Sequence, residues 1–293
     1  RVKKVNPDIF ILAEHYGDAS AWLQGDEWDS VMNYDAFMEP VTYFLTGMEK
    51  HSDAFNAELY QNGQEFFSSM LRKMAKMQVP SLYSAMNELS NHDHSRFLTR
   101  TNHMVGRLGT HGAYAAGQGI SKAVFREAVV IQMTWPGSPT IYYGDEAGVV
   151  GWTDPDCRRT YPWGKEDQSL INMHCALTKL RKEYPAFTAG SVKPLFADIG
   201  MISYARFQNE WFVLISCNNL EEERDFFLPV KDIGISDGRS FYTVFKTDRE
   251  GYCDQKKSAG TVSNGILHFK LSPQSAVIML LEGVNSNGAS QQN

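Results

Sequence analysis

Cysteine, positive charge and long apolar runs are all scarce in this chain of 293 residues, and each shortage excludes a class of protein. The four cysteines are scattered without a C-x-x-C pair, so neither a zinc site nor a disulfide framework is indicated and free thiols are expected. The formal net charge is -6 and no basic stripe stands out, which argues against nucleic-acid binding and favours a neutral substrate. No apolar run approaches the ~18 residues of a membrane span, so no membrane partner is expected.

The composition is that of a folded protein with room for two domains. Hydrophobic residues make up 43% of the chain and charged residues 21%, which excludes a mostly disordered protein. No signal peptide opens the sequence, which starts with Arg1 rather than Met, and we expect that a preceding segment was removed or never captured. The localisation is therefore open, with a cytoplasmic one favoured.

Strand-like and helix-like patterns alternate over residues 1–188. The clearest strand is a continuous apolar run at residues 9–13, which is typical of a strand buried on both faces in a parallel sheet. Further strands are predicted at residues 30–33, 84–89 and 139–143, and helices at residues 54–77, 122–133 and 169–183. Residues 101–119 are interpreted as a long surface loop. This alternation predicts successive βα units in a parallel sheet or barrel.

The pattern changes after Gly190 to short alternating runs separated by turn residues. Six such runs, between residues 202 and 281, show no helical period and predict an antiparallel β domain over residues 189–284. Residues 285–293 are polar and are expected to form a disordered tail. The predicted fold class is therefore α/β followed by all-β.

Two acids, Glu14 and Asp93, directly follow predicted parallel strands. In a barrel the carboxyl ends of the strands face one mouth, so these acids could converge. Cleavage of a glycosidic bond uses such a pair, in which one carboxyl protonates the leaving oxygen and the other stabilises or attacks the sugar centre. The alternative is that both acids cap helices or form structural ion pairs.

Histidines and aromatic residues near these acids have two interpretations each. His92 could donate a hydrogen bond to a sugar hydroxyl, although a lone histidine is more often structural. With His94 it could also bind a metal, but no third ligand occurs at a suitable spacing, so no metal site is predicted. Aromatic rings in the predicted strand-to-helix loops could stack on sugars or simply pack the loops. These aromatic residues are Tyr16, Trp22, Trp28, Trp152 and Trp163.

Three segments, in order, resemble the alpha-amylase family of glycoside hydrolases, and most closely its neopullulanase, cyclomaltodextrinase and maltogenic amylase group. Residues 11–14 (ILAE) and 31–34 (VMNY) resemble the segment of the family that carries the general acid. Residues 89–96 (LSNHDHSR) resemble the segment with the third catalytic carboxylate. Residues 137–146 (GSPTIYYGDE) and 154–159 (DPDCRR) resemble the final barrel strand and the donor-site loop.

This resemblance implies a retaining hydrolase of alpha-glucans that cleaves alpha-1,4 bonds in maltooligosaccharides, cyclodextrins, pullulan or starch, and it leaves cleavage of alpha-1,6 bonds open. It implies that Glu14 is the general acid and base, and that Asp93 grips the ring hydroxyls and distorts the reacting sugar. The resemblance implies that His92, Asp154 and Arg158 bind substrate, and Tyr16, Trp22 and Asn91 are the further candidate substrate-binding residues. No cofactor is identifiable, although relatives often bind calcium, and calcium and homodimerisation both stay open for the parent enzyme.

The family's nucleophilic aspartate has no counterpart in this sequence. By the resemblance, residues 9–13 correspond to the fifth strand of a (β/α)8 TIM barrel, so residues 1–188 are expected to form its C-terminal half, strands five to eight. An antiparallel β-sandwich is expected to follow. A chain without the N-terminal half of the barrel is expected to be inactive alone. The alternatives are a non-catalytic carbohydrate-binding fragment, a half-enzyme that needs a partner chain, and an alpha-glucosidase or transglycosylase of the same family.

Overall fold

Four short parallel strands organise the first part of the computed structural model, which describes residues 1–283. They are β1 (Leu12–Ala13), β2 (Ser30–Val31), β3 (Met86–Glu88) and β4 (Ser138–Thr140). β1 pairs with β2 and β3 with β4, and a parallel bridge between Met32 and Met86 connects the two pairs. The strands therefore lie side by side in chain order, as the alternating pattern predicts.

Helices connect and cover these strands. Their bounds are α1 (Val2–Val5), α2 (Glu39–Thr46), α3 (Gly63–Met74), α4 (Val79–Ser84), α5 (Phe97–Arg100), α6 (Leu108–Ala115), α7 (Lys122–Thr134), α8 (Gln168–Glu183) and α9 (Pro185–Ala189). The predictions of α7 and α8 from helical spacing are confirmed to within one residue. Both helices begin after a side-chain cap, Ser121 for α7 and Asp167 for α8, whose oxygens accept backbone N–H bonds of the first turn.

Several sequence predictions of local structure are wrong in extent. The helix predicted at residues 54–77 is confined to α3, because the Asn62 side chain accepts the N–H of Glu65 and starts the helix there. The loop predicted at residues 101–119 contains α6, which is kinked at Gly112. Only the last two residues of the run at 9–13 are in a strand, and Phe10 is exposed rather than buried on both faces.

Helix α7 is at the centre of the molecule, with every residue from Ala123 to Thr134 buried. On one side the Gln132 amide donates to the carbonyls of Asn87 and Thr140, at 2.9 and 3.0 Å, and so binds the helix to β3 and β4. On the other side α7 packs against the antiparallel sheet. A helix buried on all its faces is typical of such a central position, and the polar side chains of α7 are buried with the apolar ones.

The second part of the chain is antiparallel. Its strands are β5 (Ser191–Asp198), β6 (Met201–Gln208), β7 (Trp211–Asn218), β8 (Arg224–Leu228), β9 (Ser240–Thr247), β10 (Tyr252–Cys253), β11 (Lys257–Thr261), β12 (Leu267–Leu271) and β13 (Ser275–Leu281). One sheet has the order β10-β9-β13-β7-β6-β5, with β11 also paired to β9, and a separate pair joins β8 and β12. Strands β5, β10 and β11 escape prediction because they are only partly buried and lack an apolar alternation.

Alternation along β13 gives the large sheet two buried faces. Ala276, Ile278 and Leu280 share a core with α7, whereas Val277 and Met279 belong to a second core on the opposite face. The β8–β12 pair covers that second face with its apolar side chains. The change from helices to strands falls between α9 and β5, and the predicted tail at residues 285–293 lies outside the described residues.

The buried Arg96 side chain joins the segments that follow β3 and β4. Its Nη1 donates to Asp145 Oδ1 at 2.9 Å and to the Tyr143 carbonyl at 2.8 Å, and its Nε donates to the Cys157 carbonyl at 2.8 Å. The guanidinium also lies 4.1 Å from the centre of the Tyr142 ring. Arg96 therefore fixes the two loops relative to each other.

No helix within residues 1–283 has the length and apolar character to span a membrane.

Replacing Arg96 with Leu is expected to lower the free energy of unfolding by about 3–5 kcal/mol, because it leaves Asp145 buried without its cation. Denaturant unfolding of the purified chain measures this loss. As a control, Arg72→Leu removes an exposed cation 3.8 Å from Glu65 and should cost less than about 1 kcal/mol. Equal small losses in both variants would contradict a structural role for the buried pair.

A second buried charge, Glu127, lies on α7 with both carboxyl oxygens lacking a hydrogen-bond partner among the described residues. Burial raises the pKa of Glu127 well above its ordinary value, only partly opposed by Arg126. The guanidinium of Arg126 bonds instead to the carbonyl of Asp248. Glu127 in turn adds to the rise that burial causes in the pKa of Tyr60 and of Cys217. Burial therefore favours the protonated form of Glu127 in the folded protein.

Replacing Glu127 with Leu is expected to weaken the loss of stability on going from pH 5 to pH 8. The folded protein keeps a proton that the unfolded chain loses above about pH 4.3, so this one group lowers stability by up to about 1.4 kcal/mol per pH unit. Denaturant unfolding at pH 5, 6.5 and 8 measures the slope, with the exposed Glu58→Gln as the control. A wild-type slope in Glu127→Leu would show that this carboxyl is already ionised in the folded state.

Candidate functional site

The candidate site lies where the parallel strands end. Glu14 directly follows β1, and residues 89–94 directly follow β3. Because parallel strands end at the same edge of a sheet, these segments meet the loop at residues 151–163, which follows β4. Three hydrogen bonds connect residues 89–94 to the loop at residues 151–163, including one from the N–H of Asp154 to the carbonyl of Asp93 at 3.1 Å.

Glu14, His92 and Asp93 converge at this edge. His92 Nε2 lies 3.3 Å from Glu14 Oε1 and 3.6 Å from Asp93 Oδ1. The three side chains are 42%, 40% and 39% exposed, so each is reachable from solvent while being held in place. The structure therefore brings together the two acids and the histidine whose convergence the strand ends predict.

Arg158 and Asp154 lie beside Asp93. Arg158 Nε donates to the carbonyl of His92 at 2.9 Å and is 2.7 Å from Asp154 Oδ1. Its Nη2 is 3.6 Å from Asp93 Oδ1. The arginine therefore places positive charge next to Asp93 and joins the loop after β4 to the loop after β3. Both residues therefore lie beside the second acid, and the substrate-binding role that the resemblance implies for them stays a prediction.

A buried hydrogen-bonded chain, which sequence reasoning missed, approaches Glu14 from the interior. The Tyr34 hydroxyl donates to Glu14 Oε1 at 3.2 Å, and the Asn91 amide donates to the Tyr34 oxygen and to Glu88 Oε1, both at 3.0 Å. Asn91 Oδ1 accepts the N–H groups of Asp93 and His94, at 3.0 and 2.9 Å. We refer to Glu88, Asn91 and Tyr34 as the inner chain. A charged residue inside a predicted strand was the only sequence signal for Glu88.

Electrostatics keep the inner chain neutral. Burial raises the pKa of Glu88 to about 8, against the opposing hydrogen bond from Asn91, and nearby Glu14 and Asp145 add to the shift. Burial likewise raises the pKa of the Tyr34 phenol, so that it is a hydroxyl donor at neutral pH. Tyr34 and His92 both contact Glu14 Oε1, whereas no described residue forms a hydrogen bond with Glu14 Oε2.

Tyr16 and His94 pack behind the site. Tyr16 stacks on Tyr34 with the ring centres 4.7 Å apart, and its hydroxyl lies 3.3 Å from His94 Nε2. Burial lowers the pKa of His94 to about 2, helped by the positive charges of Arg100 and His51, so this imidazole is neutral. His92 and His94 therefore have different partners and do not form a common metal site.

Two groups of side chains have metal-like spacing, with ligand atoms within 4.8 Å of one another in each. They are Glu14, His92 and Asp93, and Glu49, His51 and Asp53. Calcium prefers six to eight oxygen ligands, and each group offers two carboxylates and an imidazole. The groups also bond internally or to cations, as Glu49 does to His51 at 2.8 Å. Neither group fits calcium.

The loop aromatics separate into two kinds. Trp22 stacks on Trp28 at 5.2 Å and contacts His15, the residue after Glu14, at 4.9 Å, and it is 37% exposed. Trp163 is 81% exposed. Trp152, in contrast, is fully buried and donates to the Gly112 carbonyl, so of its two interpretations loop packing is the one that holds. Exposure of a ring depends on contacts between loops, which sequence spacing does not reveal.

Comparison with known proteins identifies relatives over most of the chain. The family described as alpha amylase, catalytic domain, matches residues 1–169. Neopullulanase 2 from Thermoactinomyces vulgaris is 36% identical over 239 residues, which are 80% of this chain and 36% of that protein. A cyclomaltodextrinase from Thermoanaerobacter pseudethanolicus is 33% identical over 78% of this chain and 35% of its own length. The chain thus spans about a third of the length of these relatives.

Solved structures show the same fold. The debranching enzyme from Nostoc punctiforme superimposes with a TM-score of 0.72 at 24% identity, covering 94% of this chain and 53% of that one. A cyclomaltodextrinase structure has a TM-score of 0.70 at 26% identity, covering 96% of this chain and 42% of the other. The family match and these relatives confirm what the three motifs indicate: the chain belongs to the alpha-amylase family, with the neopullulanases and cyclomaltodextrinases among its relatives.

Proposed function

We propose that the protein containing this chain is a glycoside hydrolase that acts on alpha-glucans. The observation that carries this proposal is the convergence of Glu14, His92 and Asp93 at the strand ends of an alpha-amylase family chain. The relatives named neopullulanase and cyclomaltodextrinase support alpha-1,4 and alpha-1,6 glucosidic bonds as the targets. Maltooligosaccharides, cyclodextrins, pullulan and starch are the corresponding substrates.

In this proposal Glu14 is the general acid and then the general base. It protonates the glycosidic oxygen as the leaving sugar departs and later removes a proton from the attacking water. Oε2 has no described partner, so it is the oxygen that carries this proton, while Tyr34 and His92 hold Oε1. A retaining reaction also needs a nucleophilic carboxylate ~5–5.5 Å from the acid. We propose that another segment of the protein supplies it.

Asp93 and its neighbours bind the reacting sugar. A carboxylate accepts hydrogen bonds from two adjacent hydroxyls, so Asp93 grips the ring as it flattens towards its oxocarbenium-like transition state. Arg158 places its positive charge beside Asp93, and Asp154 orients Arg158. We refer to Asp93 in this role as the clamp. Asn91 and His92 position the clamp, and Tyr16 and Trp22 provide the aromatic surface near Glu14.

The open edges of the parallel sheet support a half barrel. Within residues 1–283, β1 pairs only with β2 and β4 only with β3, so the outer edges of β1 and β4 have no strand partner. An unpaired edge is a pairing surface for further strands. We propose that residues 1–188 are strands five to eight of a TIM barrel and residues 189–284 a β-sandwich domain. The same edges also favour a half-enzyme completed by a partner chain.

Replacing Glu14 with Gln in the full-length protein is expected to lower kcat on maltooligosaccharides at least ~100-fold, because general acid catalysis is lost. KM should change much less, because glutamine has the same size. Steady-state rates on maltotriose and pullulan measure the effect. The exposed Glu27→Gln is the matched control and should leave the rate unchanged. Near-normal turnover in Glu14→Gln would refute the assignment.

The chain of 293 residues is expected to show no hydrolysis on its own, because it carries the acid and the clamp without the proposed nucleophile. The measurement is release of reducing sugar from maltotriose and soluble starch over a day, with the full-length protein as the positive control. Activity that purifies with the chain and disappears in Glu14→Gln would show that the nucleophile lies within these residues.

A further inference from the structure

Glu88 is a buried acid at the end of β3 for which the proposed reaction has no role so far. Glu88 is 2% exposed and lies in the strand between β2 and β4. Burying an apolar side chain there would cost less free energy than burying a carboxyl group. The charged groups that influence it are Glu14 after β1, Asp145 after β4 and Arg100 on α5. Its hydrogen-bond partner is the amide of Asn91, at 3.0 Å. The position therefore holds a buried hydrogen-bond acceptor where packing alone would favour an apolar side chain.

The orientation of the Asn91 amide makes Glu88 necessary. Two backbone N–H groups bond Asn91 Oδ1, so the Nδ2 group must face inward. Nδ2 has two protons, of which one goes to the Tyr34 oxygen and the other to Glu88 Oε1. Without an acceptor at position 88, one proton of a buried amide would be unpaired, which costs about 1–3 kcal/mol. The amide would then gain by rotating away from Tyr34.

Tyr34 transmits this orientation to Glu14. The Tyr34 oxygen accepts the proton of Asn91 and donates its own proton to Glu14 Oε1, 3.2 Å away. The other acceptor within reach, the Met32 thioether at 3.5 Å, is the weaker one. The stacked ring of Tyr16 keeps the Tyr34 ring in its plane. We infer that Glu88 is a positioning residue for Glu14, which acts through Asn91 and Tyr34 to hold one carboxyl oxygen and leave the other for the glycosidic oxygen. This inference rests on the proposed role of Glu14 as the general acid.

The contacts of the inner chain require a hydrogen-bond acceptor at position 88 and not a negative charge. Because burial keeps Glu88 protonated at neutral pH, glutamine has the same charge, nearly the same shape and an oxygen that accepts from Asn91. Methionine has similar length but no acceptor of comparable strength. Glu88→Gln should therefore preserve the orientation of Glu14, and Glu88→Met should lose it.

The test compares both variants in the full-length protein on two substrates. Maltotriose needs protonation of its leaving oxygen, whereas the fluoride of alpha-maltosyl fluoride departs without general acid catalysis. Glu88→Met is expected to lower kcat/KM on maltotriose by about 10- to 100-fold, because only part of the general acid contribution is lost. This ratio reports the step in which the leaving group departs and excludes the later step in which Glu14 acts as the base. On the fluoride it should lose less than about threefold, and Glu88→Gln should stay close to wild type on both.

Tyr34→Phe breaks the same chain one link closer to Glu14 and is the second variant if Glu88→Met does not fold. It should show the same dependence on the leaving group. Equal losses on both substrates, or no loss, would overturn the inference. Glu14→Gln is measured in parallel: if it alone shows the dependence on the leaving group, the proposed function stands and only the role of Glu88 falls. If Glu14→Gln is as active as wild type, the proposed function itself fails.

Discussion

The guanidinium of Arg96 is the contact on which the geometry of the site depends. The parallel strands are only two or three residues long, so their backbone ladders cannot by themselves fix the loops that follow. Arg96 does this instead, since one buried side chain bonds Asp145, the Tyr143 carbonyl and the Cys157 carbonyl. The segment that carries His92 and Asp93 is thereby held against the loop that carries Asp154 and Arg158.

Two acids, Glu88 and Glu127, are buried in different parts of the molecule and have different surroundings. At the site, Glu88 is kept protonated next to Glu14, so the inner chain reaches the exposed acid without adding a second negative charge. In the centre, burial raises the pKa of Glu127, whose carboxyl has no hydrogen-bond partner among the described residues. The first acid has an oriented partner in Asn91, and the second does not. That difference separates a positioned group from one whose role the fold leaves unexplained.

The sequence predicts the elements whose signals are local. Helices α7 and α8 have a long periodic pattern and a capping side chain, and their bounds are nearly exact. Glu14, His92 and Asp93 follow strands directly, so the common edge of a parallel sheet brings them together. The edge strand β5 is missed because its side chains are only partly buried and Pro194 interrupts it. Tyr34 and Glu88 are missed because they act through contacts between residues far apart in the chain, and the same limit made Trp152 look accessible.

The position of α7 has a further consequence for how the molecule comes apart. Since all of its residues from Ala123 to Thr134 are buried between the short parallel strands and the antiparallel sheet, neither layer can separate without exposing this buried helix to water. The energetic cost of that exposure is shared by both layers. The part with the candidate site and the part with the large sheet therefore unfold as one cooperative unit, although their architectures differ.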